Sequence, residues 1–292
     1  SPPLPTLPFN IFSTPPTTTT STSTSFHHPP TYSTFYQKIQ RESRMSGGAE
    51  EKPSVQEEQD TPPQTTEAAA ASWDKYADEW DGMAGAESFW GQDTAKEIDS
   101  LLPGGPAGLG GKSILEFGCG TGVIGLGLVQ RAAKEGAVCK VTLADIAPKM
   151  VENAKKKAGE LPKEIQERVN TVAGDVLEEG GLAPGPYDVV MSGSVLTFLP
   201  DARDGLHKLR KRMNAGGQMI HFVWRRPEDK QRREDKHHFW DGFTVEELKA
   251  AMEEEEAGGL EKVEVREFKF RMGEGGDQTM GMLIGTGFVK RG

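Results

Sequence analysis

Cysteine is scarce in this chain, which has only Cys119 and Cys139 among its 292 residues. Two cysteines exclude a scaffold held by a disulfide framework and fit a reducing compartment. Long apolar runs are missing as well, since no stretch approaches the roughly 20 apolar residues that cross a bilayer. No basic start followed by a hydrophobic core indicates secretion. We therefore expect a soluble, cytoplasmic protein without a membrane partner.

Positive charge is also in short supply, because 34 Lys and Arg face 44 Asp and Glu, a net charge of −10. Nucleic-acid affinity depends mainly on neutralising phosphates, so an acidic chain without a long basic stripe predicts no nucleic-acid partner. A small molecule is the expected partner, and a protein substrate stays open. The spacing of His, Cys and Asp residues matches no metal site, so no metal is expected.

Apolar periodicity is absent before residue 72. Residues 1–44 are Ser, Thr or Pro at 25 of 44 positions, and residues 45–71 are rich in Glu, Gln, Thr, Pro and Ala. Neither composition can build a core, so we predict a disordered leader over 1–71 and one domain over 72–292. The acid-poor residues 1–44 could instead be an organellar transit peptide, although Met45 resembles an ordinary start.

Two helices are predicted at the beginning of the domain. Ser72 is an N-cap candidate for a helix reaching Asp81, which would carry Trp73, Tyr76 and Trp80 on one face. The second helix runs over about 92–102 and ends before a loop rich in glycine and proline.

Strands and helices then alternate, which predicts an α/β fold with a mostly parallel sheet and helices on both faces. The predicted strands are 113–117, 140–144, 169–173, 187–191 and 217–224. The predicted helices are 121–134, 148–159, 202–213 and 244–255, the last with a capping box of Thr244 and Glu247. Two alternating segments, 260–270 and 280–289, follow around a glycine-rich turn and predict a C-terminal antiparallel hairpin, the sixth and seventh strands.

Closely spaced glycines follow the first strand in Glu116-Phe-Gly118-Cys119-Gly120-Thr-Gly122. Glycine permits φ > 0 and close approach of a ligand, so this turn predicts a nucleotide pocket. The run from Gly120 to Gly125 also satisfies the dinucleotide fingerprint, with Asp145 twenty residues later, so an NAD(P)-dependent oxidoreductase is one alternative. The acid at Glu116 and the antiparallel end of the sheet disfavour it.

These motifs, over about residues 73–290, resemble the class I S-adenosylmethionine-dependent methyltransferases, enzymes with a single Rossmann-like three-layer domain. The resemblance implies that residues 72–102 form an N-terminal lid and that S-adenosylmethionine is the cofactor. It implies that Glu116 orients the amino group, that Asp145 takes the ribose hydroxyls, and that the segment with Asp175 reads the adenine. The implied cofactor contacts are Tyr76, Glu116, Gly118, Cys119, Gly120, Gly122, Asp145, Ile146, Asp175, Val176 and Ser192.

The expected reaction is methyl transfer to a small-molecule acceptor. His237 and His238 are weak candidates for a general base, and a solvated loop is the simpler interpretation of their surroundings. Arginines at 225, 226, 232 and 233 could clamp an anionic acceptor, although interleaved acids favour a self-paired surface. A methyltransferase-fold subunit that binds cofactor without turnover is the remaining alternative.

Overall fold

The structure is a computed structural model that describes residues 66–85, 88–178, 183–226, 242–272 and 278–291. Its helices are α1 (Thr66–Asp74), α2 (Trp80–Ala84), α3 (Phe89–Leu101), α4 (Val123–Lys134), α5 (Pro148–Gly159), α6 (Lys163–Gln166), α7 (Ala202–Arg210) and α8 (Val245–Glu253). Its strands are β1 (Ser113–Phe117), β2 (Lys140–Asp145), β3 (Val169–Ala173), β4 (Tyr187–Gly193), β5 (Met213–Trp224), β6 (Leu260–Met272) and β7 (Gln278–Val289). Two 3₁₀ turns, Pro106–Leu109 and Leu196–Phe198, complete the set.

The seven strands form one sheet in the order β3-β2-β1-β4-β5-β7-β6. The neighbours from β3 through β5 pair in parallel, whereas β7 runs antiparallel to both β5 and β6. The strand order reverses on the two sides of β1, and such a switch point opens a crevice at the carboxyl ends of the strands. The predicted seven-stranded, mostly parallel α/β sheet with a C-terminal antiparallel hairpin is confirmed.

Helices cover both faces of the sheet, which makes three layers. One core joins the sheet to α3, α4 and α5, and the other joins it to α7 and α8. Strand β5 shows the alternation that divides the layers, because Ile220 and Phe222 belong to the first core while Met219 and Val223 belong to the second. A strand buried on both faces is expected to be almost entirely apolar, and residues 219–224 of β5 are apolar except for the buried His221.

The single helix predicted from Ser72 to Asp81 is wrong. Helix α1 begins earlier, at Thr66, and ends at Asp74. Turns follow over 75–79, with hydrogen bonds to carbonyls three residues back, and α2 begins only at Trp80. The physical reason is docking on α5: Asp74 Oδ1 accepts the Lys149 N–H at 2.9 Å, and the turn lets Tyr76 and Ala77 become buried.

The helix predicted over 202–213 also ends too late, because α7 stops at Arg210. Met213 instead pairs with Tyr187 at the start of β5. The capping box is confirmed: Thr244 Oγ1 accepts the Glu247 N–H at 3.2 Å, and a Glu247 carboxylate oxygen accepts the Thr244 N–H at 3.0 Å. Within the described ranges, none of the helices is long and apolar enough to cross a membrane.

Candidate functional site

A cavity of about 500 Å³ lies where strands β1 to β4 end, under α1 and α2. Its wall brings together eight of the predicted cofactor contacts: Glu116, Gly118, Cys119, Gly120, Asp145, Ile146, Asp175 and Val176. These residues come from the ends of β1, β2 and β3, which are neighbours in the sheet. Their roles toward a cofactor remain predictions, and the geometry below describes what each can do.

The turn after β1 requires its glycines. Gly118 and Gly120 have φ of 65° and 51°, in the left-handed region that favours glycine. A Cβ on Gly118 would lie 2.3 Å from Val195 Cγ2, so the side chain of Val195 fills the space that a larger residue would need. The turn is also tied to the next strand, because the Cys119 N–H donates to the Ala144 carbonyl at 2.9 Å. The Cys119 thiol is buried, and burial raises its pKa, so it stays protonated.

Glu116 lies on the central strand β1 and is 1% exposed. Its Oε2 accepts the Gly125 N–H at 2.8 Å. Burial raises the pKa of Glu116 to about 8, a shift that the Gly125 N–H opposes and the nearby Asp145 charge adds to. An acid of this kind, buried in a cavity wall, is ready to ionise when a cation arrives beside it.

Asp145 ends β2 and holds the glycine turn from the other side. Its Oδ2 accepts the Gly120 N–H at 2.7 Å, and its Oδ1 accepts the Ala147 N–H at 2.9 Å. Burial raises the pKa of Asp145 to about 6 despite these two bonds. Each carboxylate oxygen has capacity for a second donor, so Asp145 can accept two further hydroxyls while staying fixed.

The turn after β3 lies beside the end of β2 and also lines the cavity. Gly174 donates its N–H to the Asp145 carbonyl at 2.8 Å, and Asp175 Oδ1 accepts the Leu177 N–H at 2.8 Å. The backbone thus fixes each of the three acids in the wall, Glu116, Asp145 and Asp175. An acid held by an N–H is positioned before any ligand binds.

Three predicted contacts lie outside the cavity wall. Tyr76 is 5% exposed and packs with Ala147 and Met150 at the start of α5. Gly122 is the left-handed residue before α4, where a Cβ would lie 3.1–3.2 Å from neighbouring side chains. Ser192 is fully buried, and its Oγ lies 2.8 Å from His221 Nδ1. His221 sits opposite Ser192 on β5, and burial lowers its pKa to about 3.

The sequence interpretation missed the residue two positions after Ser192. Ser194 lines the cavity, has φ of 65°, and is 9% exposed. Its Oγ is buried without a hydrogen-bond partner among the described residues. A non-glycine residue with positive φ is uncommon, and such strain clusters at functional sites. The predicted end of β4 at residue 191 was the source of the error, because the strand continues to Gly193 and Ser194 is the first residue after it.

Tryptophan side chains form much of the remaining wall. Trp73, Trp80, Trp90 and Trp224 all line the cavity. Trp73 packs edge-on against Trp80 and Phe198, with ring centroids 5.7 and 5.2 Å apart, so it spans from the N-terminal helices to the loop after β4. The predicted lid over 72–102 therefore contributes three tryptophans, Trp73, Trp80 and Trp90, to the wall rather than Tyr76.

Polar contacts hold the N-terminal helices over the glycine turn. Asp81 Oδ1 accepts from Thr121 Oγ1 and from Lys157 Nζ, and Lys157 also donates to the Thr121 carbonyl at 3.2 Å. Trp80 Nε1 would lie 3.3 Å from a Cβ on Gly120. Helix α2 is thus attached directly to the turn that it covers.

The candidate bases His237 and His238 lie outside the described residues, as do Arg232 and Arg233. The other two arginines of the predicted clamp have carboxylate partners. Arg226 is 5% exposed and pairs with Glu247 on α8, and Arg225 lies 3.1 Å from Glu267 on β6. Neither Arg225 nor Arg226 lines the cavity.

Residues 115–219 match the sequence model of a family described as "Methyltransferase domain". This segment begins in β1 and ends in β5, so it contains both the glycine turn and the acids at the strand ends. A curated relative, the mitochondrial ubiquinone biosynthesis O-methyltransferase of Schizosaccharomyces pombe, is 34% identical over 110 residues. The alignment covers 38% of this chain and 37% of that protein, so the chain spans little more than a third of its relative's length.

Solved structures share the fold at low sequence identity. Magnesium protoporphyrin IX methyltransferase from Synechocystis, solved with bound S-adenosylmethionine, is 17% identical with a TM-score of 0.55, over 77% of this chain and 97% of its own. The cyclase SpnF is 13% identical with a TM-score of 0.55, over 79% of this chain and 99% of its own. Likeness at this level establishes the fold alone. Residues 115–219 thus resemble a methyltransferase domain, and the predicted resemblance to the class I, Rossmann-like methyltransferases is confirmed.

Proposed function

We propose that this protein is an S-adenosylmethionine-dependent methyltransferase that acts on a small molecule. The observation that carries the proposal is the convergence of Glu116, Asp145 and Asp175 on one cavity beside a left-handed glycine turn. Ligands of open α/β sheets bind at this edge, beyond the carboxyl ends of the strands around the switch point.

The residues present fit the cofactor. Its ammonium group would face Glu116, whose pKa burial raises and which a neighbouring cation would help to ionise. Its ribose hydroxyls would be accepted by Asp145, whose oxygens each hold one backbone N–H and have room for another donor. Its adenine would lie beside Asp175 and Val176, and the glycine turn would contact its methionine part.

When bound, the cofactor supplies an electrophilic methyl group on a sulfonium. The protein's own contribution is to align the acceptor with that methyl group and to exclude water. The tryptophans suit the second task, because Trp73 and Trp80 on the N-terminal segment close the cavity over the glycine turn. No side chain of the protein needs to form a covalent bond in such a transfer.

The acid beside the glycine turn disfavours the oxidoreductase alternative. A dinucleotide places its pyrophosphate against this turn, but here Glu116, which would repel a pyrophosphate when ionised, lines the cavity beside Gly118 and Gly120. One protein with a similar fold is named as a cyclase, so the fold alone does not determine the reaction. The activity therefore has to be measured directly.

Calorimetric titration tests the proposal. Purified protein is titrated separately with S-adenosylhomocysteine, NAD⁺ and NADP⁺, and we expect saturable binding of the first alone. Incubation of the protein with labelled methyl donor and a metabolite extract should then transfer label to a small molecule. Binding of NAD⁺ or NADP⁺ alone would overturn the proposal, and tight cofactor binding with no labelled product would favour a non-catalytic subunit.

A further inference from the structure

The cavity has two chemically different ends. The cofactor end contains the acids Glu116, Asp145 and Asp175. The acceptor end is defined here by the residues Trp90, Ile124, Gly193, Ser194 and Trp224. All five line the cavity, and Gly193 leaves room for two of the others: a Cβ there would lie 3.0 Å from Ile124 Cδ1 and 3.3 Å from Trp90 Cζ2. Gly193 pairs with Phe222 on β5, two residues before Trp224.

The wall contains acidic side chains and no basic ones. Among the described residues that line the cavity, the acids are Glu67, Glu116, Asp145 and Asp175, and none is Lys, Arg or His. An anionic acceptor would therefore meet carboxylates and find no described cation in the wall, while Arg225 and Arg226 are paired elsewhere. An acceptor carrying a carboxylate or phosphate close to its reacting atom is disfavoured by this field.

Aromatic side chains dominate the acceptor end. Trp90 packs edge-on against Phe222 and Phe270, at centroid distances of 5.9 and 5.1 Å, so its ring is fixed by the sheet behind it. Rings held in this way favour a planar aromatic ligand, because edge-to-face and offset contacts add to the burial of apolar area.

Ser194 is the one hydroxyl at the acceptor end. Its Oγ is buried, has no partner in the described part of the chain, and belongs to a residue that lines the cavity. A buried polar group without a partner is costly, and a ligand hydroxyl can remove that cost by hydrogen bonding to it. Ser194 is thus suited to position a single polar atom of an otherwise apolar acceptor.

The wall also limits the chemistry of the nucleophile. The described lining includes no His, Lys or Tyr, so the bases that it offers are the carboxylates Glu67, Glu116, Asp145 and Asp175, none of which belongs to the acceptor end. An aromatic hydroxyl, with a pKa of about 10, ionises more readily than an aliphatic alcohol. A protonated amine has no free electron pair. The acceptor oxygen would bond to the methyl carbon as the carbon–sulfur bond breaks, with its electron pair left on sulfur and the hydroxyl proton released to solvent.

We propose that the methyl acceptor is an uncharged aromatic molecule with a hydroxyl group, and that Ser194 positions this hydroxyl between Trp90 and Trp224. The inference rests on the proposed function, since it places the cofactor at the other end of the cavity. Acceptor binding can be measured without turnover on protein saturated with S-adenosylhomocysteine. Because cofactor binding and acceptor binding are then measured separately, failure of one proposal can be distinguished from failure of the other.

Four matched probes test the acceptor class: 2-naphthol, 2-naphthoic acid, 2-(aminomethyl)naphthalene and decahydro-2-naphthol. We expect 2-naphthol to bind at least about tenfold more tightly than each of the others and to yield the methyl ether with the complete cofactor. Equal or tighter binding of the acid or the amine would overturn the inference, as would binding of S-adenosylhomocysteine with no binding of 2-naphthol. Failure of S-adenosylhomocysteine itself to bind would instead overturn the proposed function.

Ser194→Gly tests the positioning role in a variant expected to fold, because glycine prefers the φ of 65° at this position. We expect the Kd for 2-naphthol to rise about tenfold and the Kd for S-adenosylhomocysteine to stay unchanged. The matched control is Thr94→Val: Thr94, 1% exposed, also has a buried Oγ1 without a partner among the described residues, but it lies on α3 and does not line the cavity. Unchanged naphthol affinity in Ser194→Gly would overturn the role of Ser194.

Discussion

The two ends of the cavity are built in different ways. At the cofactor end, Glu116, Asp145 and Asp175 each accept a backbone N–H at 2.7–2.9 Å, so the main chain holds the functional side chains. At the acceptor end, packing between side chains holds Trp90 against Phe222 and Phe270. Backbone N–H groups near the strand ends therefore fix the polar end, whereas the aromatic end depends on contacts between distant parts of the chain.

The largest effect is expected at the cofactor end, from Asp145→Ala. We expect the affinity for S-adenosylhomocysteine to fall about 100-fold, or about 3 kcal/mol, because two ligand hydroxyls and the Gly120 N–H lose their acceptor. Calorimetry measures the change.

Asp188→Ala is the matched control for that variant. Asp188 also accepts a backbone N–H, from Ser113 at 2.9 Å. It lies near the amino end of β4, whereas the cavity lies at the carboxyl ends of the strands. Its replacement should lower the melting temperature and leave affinity intact. Equal affinities of the Asp145 variant and the unmodified protein would contradict the ribose placement.

Glu116→Gln should separate binding from stability. Since the folded-state pKa of about 8 lies above the ordinary 4.5, the folded protein holds this proton more tightly than the unfolded chain does. As the pH rises from about 4.5 to 8, Glu116 ionises in the unfolded chain but stays protonated in the folded protein. The free energy of unfolding therefore falls over this range, by at most about 1.4 kcal/mol per pH unit. The variant lacks this penalty, so urea denaturation should show it gaining stability relative to the unmodified protein between pH 5 and pH 8.

Binding should change in the opposite sense. A ligand ammonium needs the ionised Glu116, so the affinity of the unmodified protein for S-adenosylhomocysteine should rise up to about tenfold per pH unit between pH 6 and 8. The Gln variant should bind more weakly at pH 8 and show a flat profile over this range. A parallel rise in both proteins would exclude Glu116 as the partner of the ammonium group.

Gly193→Ala tests the acceptor end. The new methyl group would lie 3.0 Å from Ile124 Cδ1 and 3.3 Å from Trp90 Cζ2, which forces these side chains to shift. We expect about fivefold weaker binding of 2-naphthol with unchanged affinity for S-adenosylhomocysteine. Gly281→Ala on β7, where a Cβ would meet nothing within 4 Å, is the control and should change neither constant. Weaker cofactor binding in Gly193→Ala would mean that the two ends are not independent.

The smallest effect is expected from Asp81→Asn, which weakens the attachment of α2 to the glycine turn. The carboxylate is 43% exposed and holds both Lys157 and Thr121, so we expect a two- to fourfold faster release of S-adenosylhomocysteine, or about 0.5–1 kcal/mol. Stopped-flow fluorescence of the cavity tryptophans can follow it. Asp78→Asn removes a more exposed pair with Lys149 on the same segment and should leave the rate unchanged.

Local patterns predicted the cofactor end from the sequence. The strand Ser113–Phe117 and the helix Pro148–Gly159 have the predicted bounds, and the glycine turn with the acids of the next two strands forms one wall. Each of these features is encoded within a few residues, by apolar runs, a proline at the first helical position, and glycines at left-handed turns.

The acceptor end could not be predicted in the same way. More than a hundred residues separate Trp90 from Trp224 in the sequence, and Ser194 lies between them. No periodicity indicates that the three share a cavity. Ser192 was predicted as a contact because the strand was expected to end at residue 191, whereas β4 continues to Gly193 and so ends two residues later. Tyr76 was placed on a helical face that does not form, since α1 ends at Asp74 to dock on α5.

Arg271 on β6 affects when the aromatic wall around Trp90 can form during synthesis. Its guanidinium and backbone N–H donate to both oxygens of Asp93 on α3, at 2.7–3.1 Å, three residues from Trp90. Phe268 and Phe270 of the same strand pack on Trp90 itself. A nascent chain that has emerged only through β4 already carries Glu116, Asp145 and Asp175, but the support of Trp90 is translated some 80 residues later. Translation of β6, rather than formation of the glycine turn, thus sets the earliest moment at which the aromatic wall can assemble.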